Sequence, residues 1–247
     1  MVYSLKTMIS DYSSPGFEFD QTVEEMRQIF LELGHMGLIT FGLSSGYWKH
    51  PRAVPASGYQ IGRRPAPDVF PMPGCNAVSQ RFKDLVEEFE PGMHQFFPLE
   101  LRDRRGEPLA QPYYVFNCLV SLDAVLMAES GLTWQFVSPP GRPSPSIDTS
   151  SKLVFSKPAI AGRHLWCLHY LRAGSRLFVS DAFYTELKAR KIRFFQIAQH
   201  SELDIPWIAE EQIQPMLDWE ASHEPKDWYY TSQVRHQVLE YRGRLGL

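Results

Sequence analysis

Apolar residues recur at helical spacing in two early stretches. In FDQTVEEMRQIFLELGHMG, Val23, Met26, Phe30 and Leu33 fall on one face, predicting a helix that stops at Gly34. Thr22 and Glu25 stand three apart at its start. That is the spacing of a capping box, in which hydroxyl and carboxylate each satisfy a free backbone N–H. In SQRFKDLVEEFEPG, Phe82, Leu85, Val86 and Phe89 share a face, Ser79 is a natural N-cap, and Pro91-Gly92 ends the helix. A period of two then takes over. HQFFPLEL and YYVFNCLV read as strands, joined by the turn-forming run Arg102–Pro108. Pro98 removes a ladder donor and predicts an edge or strand end, while Asn117 is placed to tie a buried backbone group.

Elsewhere the pattern is coarser. GLITFGLSS predicts a strand, and the proline-, glycine- and arginine-rich run that follows, up to Gly74, is aperiodic and reads as a long loop or linker. SLDAVLMAESG predicts a short helix capped by Ser121 and stopped at Gly131. SPPGRPSPSIDTSS reads as a surface loop. LVFS, RHLWCLHYL and RLFVS are strand-like, DAFYTELKARK is a helix capped by Ser180 or Asp181 with Phe183 and Leu187 inward, and IRFFQI is a last strand. Residues 201–247 read as mostly helical, with Val234, Val238 and Tyr241 on one stripe. No internal repeat stands out. Irregularly interspersed strands and helices predict an α+β fold: a mixed or largely antiparallel sheet with helices packed on it, plus a mostly helical C-terminal segment. Three segments follow: 1–68 with the first helix, strand and loop; 69–200 as the α+β core; and 201–247 as an acidic helical segment packed on that core.

Composition narrows the class. The 247-residue chain is 44% hydrophobic and 21% charged, which is ordinary for a folded globule. A net charge of −3 argues against non-specific nucleic-acid binding. The scattered Cys75, Cys118 and Cys167 make no disulfide framework and suit a reducing compartment. The first residues have no signal-like apolar run and no later stretch is long enough to span a bilayer, so a cytoplasmic protein without a membrane role is expected.

Candidate chemistry is sparse. HLWCLHYL holds His164, Cys167 and His169, but on a strand only Cys167 and His169 share a face, too few ligands for zinc. Cys118 or Cys167 with a histidine is the alternative enzyme reading, a hydrolase-type pair, yet neither thiol sits in a nucleophile motif. The carboxylates Glu88, Glu90, Glu100, Asp103 and Glu107 lie near turns and are expected to be solvated. No catalytic set, metal site or cofactor is expected.

Charge is uneven. Asp11 to Glu32 carries six acids and one base, and Arg142 to Arg193 carries ten bases and three acids. The second stretch supports a nucleic-acid-binding alternative, weakened by its spread over loop, strands and helix. From Glu202 to Glu224 there are seven acids and no lysine or arginine. Trp207, Glu210, Glu211, Asp218, Trp219 and Glu220 of this segment are the candidate binding residues: acids steer a basic partner and a tryptophan anchors it. A solvated helical face with the tryptophans packed inward is the competing interpretation.

The succession FPMPGCNAVSQRFKDLVEEFEPGMHQFFPLEL, YYVFNCLVSLDAV and RLFVSDAFYTELKARKIRFFQI resembles the bacterial immunity proteins of polymorphic toxin systems, in particular immunity family eleven. The likeness lies in the order of a serine-led helix, an F-P-L strand, a Y-x-x-N strand followed by Leu-Asp-Ala, and a V-S-D junction opening a helix. Phe97, Pro98, Tyr114 and Asn117 match that pattern, which covers residues 69–200. The family has a glycine in the turn before the last strand, where this chain has Ile192 and Arg193. The resemblance implies a non-enzymatic inhibitor without cofactor, made beside a secreted toxin and neutralising it by binding. The expected partner is a cognate toxin domain. The acidic segment points to a basic one, such as a nuclease, and the missing export signal to one that acts in, or passes through, the cytoplasm.

Overall fold

The computed structural model describes residues 1–7, 16–22, 46, 48–72, 75–137, 142–147, 151–168, 171, 176–193 and 195–223, together with 24, 25, 28, 29 and 32. In chain order the first elements are β1 (Val2–Thr7), β2 (Phe17–Phe19), a 3-10 turn (Pro51–Ala53), β3 (Ser57–Gln60), β4 (Val69–Met72) and β5 (Cys75–Ser79). Then come α1 (Gln80–Phe89), β6 (Gln95–Arg102), β7 (Tyr113–Asn117), β8 (Ser121–Leu122), β9 (Trp134–Val137), β10 (Arg142–Pro145) and β11 (Val154–Ser156). The last are β12 (Leu165–Leu168), β13 (Leu177–Ser180), α2 (Asp181–Ala189), β14 (Phe195–Leu203), α3 (Ala209–Gln212) and α4 (Gln214–Ser222). The class is α+β, rich in sheet.

Both serine caps form as their sequences require. The Ser79 hydroxyl accepts from the Phe82 amide at 3.4 Å, and the Ser180 hydroxyl from the Phe183 amide at 3.2 Å. Behind the caps, Phe82, Leu85 and Val86 of α1 and Phe183 and Leu187 of α2 are buried. Phe183 meets Phe82 and Phe89 edge-on at 6.5 and 5.3 Å, so the two helices share one core. The capping box also forms: the Thr22 amide donates to Glu25 at 2.7 Å and the Glu25 amide to the Thr22 hydroxyl at 3.2 Å.

Among the described residues the strands make two six-stranded sheets and a two-stranded β9–β10 ribbon. One sheet has the order β2-β3-β6-β7-β5-β4 and the other β11-β14-β1-β13-β12-β8. Five neighbouring strands correspond. β3, β6, β7, β5 and β4 match β11, β14, β1, β13 and β12, with β3/β6 and β11/β14 parallel and every other pair antiparallel. The registers agree as well. Ser79 opposes Tyr113 as Ser180 opposes Val2, and Leu99 opposes Tyr113 as His200 opposes Val2. Glu100 opposes Ser57 as Ser201 opposes Val154, and Val78 opposes Val69 as Val179 opposes Leu165. The fold is therefore an internal duplication, which the sequence pattern did not reveal. Its central strand is supplied by the β6–β7 hairpin in the first copy and by the start of the chain in the second.

Several expectations are corrected. The aperiodic run before Gly74 contains β3 and β4, strands held by neighbours rather than marked by their own alternation. Gly58 lies so close to the next strand that an added Cβ would come within 2.5 Å of the Glu18 carbonyl oxygen, which explains a glycine in β3. SLDAVLMAESG is not a helix. Ser121–Leu122 is a strand, and Leu119–Met127 is buried at every position but Asp123, leaving no polar face for an amphipathic helix. Gly131 does stop the following turn, at φ +62°. Part of the expected surface loop is β10, in which Pro143 and Pro145 are tolerated because the ribbon has free edges. Pro98 lies on an interior strand, but β3 pairs β6 only from Glu100 onward, so the proline sits where one flank has no ladder. Of the described residues of the C-terminal segment, 201–203 extend β14, and α3 and α4 are helical. Val234, Val238 and Tyr241, like GLITFGLSS and Val23, Met26, Phe30 and Leu33, lie outside the described residues.

Candidate functional site

The β6–β7 hairpin borders a cavity of about 400 Å³, lined by Pro98, Leu101, Arg102, Leu109, Pro112 and Tyr113 among others. Its turn is fixed by Asp103, whose carboxylate accepts from the Arg105 and Glu107 amides at 2.7 and 3.0 Å. The Tyr113 hydroxyl donates toward the Ala66 and Pro67 carbonyls, at 3.0 and 3.1 Å. At the far end Asn117 donates to the Gln95 amide oxygen at 2.8 Å, and the Gln95 amide clamps the Lys49 backbone at both N–H and C=O, each at 2.9 Å. Asn117 thus reaches a buried backbone through a second side chain. Burial lowers the Lys49 ammonium to about 8. Among the described residues, the groove shows no cysteine, serine or histidine in its lining. Its polar residues brace the hairpin.

Both thiols once eligible as nucleophiles are core residues. Cys118 and Cys167 are buried and each points its Sγ at the Val120 carbonyl, 3.5 and 3.3 Å away. Burial, reinforced by Cys167 alongside, pushes the Cys118 thiol well above its usual range, the reverse of activation. Burial likewise raises Cys75 to about 12. His164 bonds Ser180 at 2.9 Å, and His169 lies outside the described residues. No group of three or more potential metal ligands occurs among the described residues.

One polar centre escaped the sequence reading. Glu90, expected to be solvated, is buried at the end of α1. It accepts from His94 Nε2 at 2.6 Å and from the His164 and Leu165 amides at 2.6 and 3.1 Å. Burial pushes its carboxyl up, but these hydrogen bonds outweigh burial and hold it below the ordinary range. The other ring nitrogen of His94 accepts the Leu119 amide at 3.2 Å, leaving Nε2 as the donor to Glu90. Glu90 therefore ties α1 to β12 of the other copy. The i, i+4 spacing of Glu90 and His94 was the signal available.

The acidic segment divides by side chain. Trp207 is half-buried, with its indole N–H on the Val125 carbonyl at 3.2 Å, and Trp219 is buried and stacks on His223 at 4.3 Å between centroids. Glu210, Glu211 and Asp218 are exposed and Glu220 is half-buried. Asp218 accepts from Gln214 at 2.6 Å. Among the bases of residues 142–193, Arg176 is buried and Arg190 is engaged by Glu88 and Glu186, so they do not all present to solvent.

The model of the immunity protein family (Imm11) matches residues 46–199, more than half of the chain. The chain belongs to this immunity protein family. The match runs from before β3 into β14, and so takes in the first copy of the unit and the second copy without β1 and the end of β14. Among curated proteins nothing matches this chain. An Imm11 protein's role as a toxin inhibitor accords with a molecule whose cysteines are core residues and whose buried histidines serve as braces.

Proposed function

We propose that this Imm11 protein neutralises one cognate toxin domain in the cytoplasm by binding it one to one, without turnover. Membership of an immunity family, matched over residues 46–199, is the observation that carries this reading. The three cysteines are free and buried, which suits a reducing compartment. The acidic segment is the proposed binding side: Glu210, Glu211 and Asp218 steer a basic toxin such as a nuclease, beside Trp207, Trp219 and Glu220. Such a complex buries roughly 1,200–2,000 Å². Co-expression tests the reading. The chain restores growth to cells making the toxin domain encoded beside its gene, and the two co-elute. Growth arrest that persists with the chain well expressed refutes it.

A further inference from the structure

Large apolar side chains exposed among the described residues are few, and three of them, Leu203, Ile205 and Ile208, run from the last residue of β14 to the residue before α3. They are 39, 37 and 43% exposed. The stretch has no counterpart in the first copy, where β6 instead turns back into β7. It is not a loose tail. The Lys157 amide donates to the Leu203 carbonyl at 2.8 Å, the Ser156 hydroxyl to the Ile205 carbonyl at 2.6 Å, and the Trp207 indole to Val125. The Glu211 and Gln212 amides both take the Ile208 carbonyl at 3.1 Å. The backbone is therefore held on both sides of each isoleucine while the isoleucines themselves face solvent.

Around this ridge the charge is acidic. Asp204, Glu210 and Glu211 are exposed, and among the described residues their side chains enter no hydrogen bond or ion pair, while the exposed Lys157 borders the ridge. A fixed apolar ridge loses little freedom on docking, and an acidic surround favours a basic partner over an anionic membrane or a second copy of the same surface.

Resting on the immunity reading, we propose that Leu203, Ile205 and Ile208, framed by Asp204, Glu210 and Glu211, form the toxin-docking surface. The partner is a protein domain presenting a basic surface around an apolar recess. Trp207 holds the ridge from beneath and makes no direct contact, unlike the tryptophan anchor first expected.

The test uses the full chain and an inactivated toxin domain encoded beside its gene, with calorimetry and stopped-flow at two salt concentrations. Ile205→Ser with Ile208→Ser weakens binding at least about thirtyfold, while the free variant keeps the wild-type circular dichroism spectrum at the assay temperature. Asp204→Lys with Glu210→Lys and Glu211→Lys slows association about tenfold at low salt and flattens its salt dependence. Ile61→Ser, at a still more exposed isoleucine beside Arg63 and Arg64, changes neither. Wild-type binding with unaltered ridge variants overturns the ridge and leaves the immunity reading standing. Absence of wild-type binding overturns both. A dimer of the chain alone that dissociates in the isoleucine variant overturns the ridge as a toxin site.

Discussion

The two copies of the duplicated unit share strands, register and a Val-Ser-x-x-Phe junction, yet they are finished differently. In the first, β7 returns through a hairpin and completes the sheet locally. In the second, β1 arrives from the start of the chain and enters between β13 and β14. The outcome differs at matched positions: Leu99 in one copy is His200 in the other, and the end of β6 leads to a braced hairpin whereas the end of β14 leads to the exposed ridge. Shared parts carry stability, and departures from the shared plan are where polar chemistry and exposed surface collect.

The largest effects test the shared part. Phe82→Ala and Phe183→Ala each cost about 3–5 kcal/mol, because both rings are fully buried in the core between the helices. Urea unfolding measures both, and a large cost at only one site breaks the equivalence. Next comes the Leu99/His200 difference. Burial, and secondarily the charge of Arg176, lower His200 to about 4. The unfolded chain then takes up a proton that the folded chain refuses, so stability is full above pH 6.5 and is lost as pH falls through 4, by roughly 3 kcal/mol in all. His200→Leu removes that acid loss. It also costs about 1–3 kcal/mol at pH 7, because the Ser4 hydroxyl and Leu153 amide lose their partner. An unchanged pH profile in the variant assigns the effect elsewhere.

Smaller effects sharpen the comparison. Ser79→Ala and Ser180→Ala each cost about 1 kcal/mol, and matching costs are expected because each hydroxyl also holds a second partner, Asp68 at 2.6 Å for Ser79 and His164 at 2.9 Å for Ser180. Thermal melts that leave either variant at wild-type stability contradict the cap. The smallest change is a gain. After α1 the left-handed position is Gly92, but after α2 it is Lys191 at φ +56°. Lys191→Gly removes that strain and raises stability by up to about 1 kcal/mol. A loss in the same melt means that the lysine side chain contributes more than the strain costs.

Much of the scaffold was legible because local chemistry announced it: serine caps before amphipathic helices, a turn-rich run between alternating strands, a capping box. What stayed hidden was set by tertiary context. Leu119–Met127 is buried on all sides, and such a run has no periodicity to separate strand from helix. The duplication left few identities beyond Val-Ser-x-x-Phe, Tyr114 with Tyr3 and Gln95 with Gln196 among them, and one of its strands lies at the opposite end of the chain. The acids of the candidate surface were visible from charge alone. The direction of Trp207 and Trp219 was not, since an indole serves a core as well as an interface.

The central claim is that this protein works by occupying a toxin's surface. Titrating the purified chain into a fixed amount of active toxin domain tests it most directly. Toxin activity falls linearly and vanishes at one equivalent, with both chains unchanged in mass. Inhibition that deepens with time at a small fraction of an equivalent, with a new mass on the toxin, contradicts it.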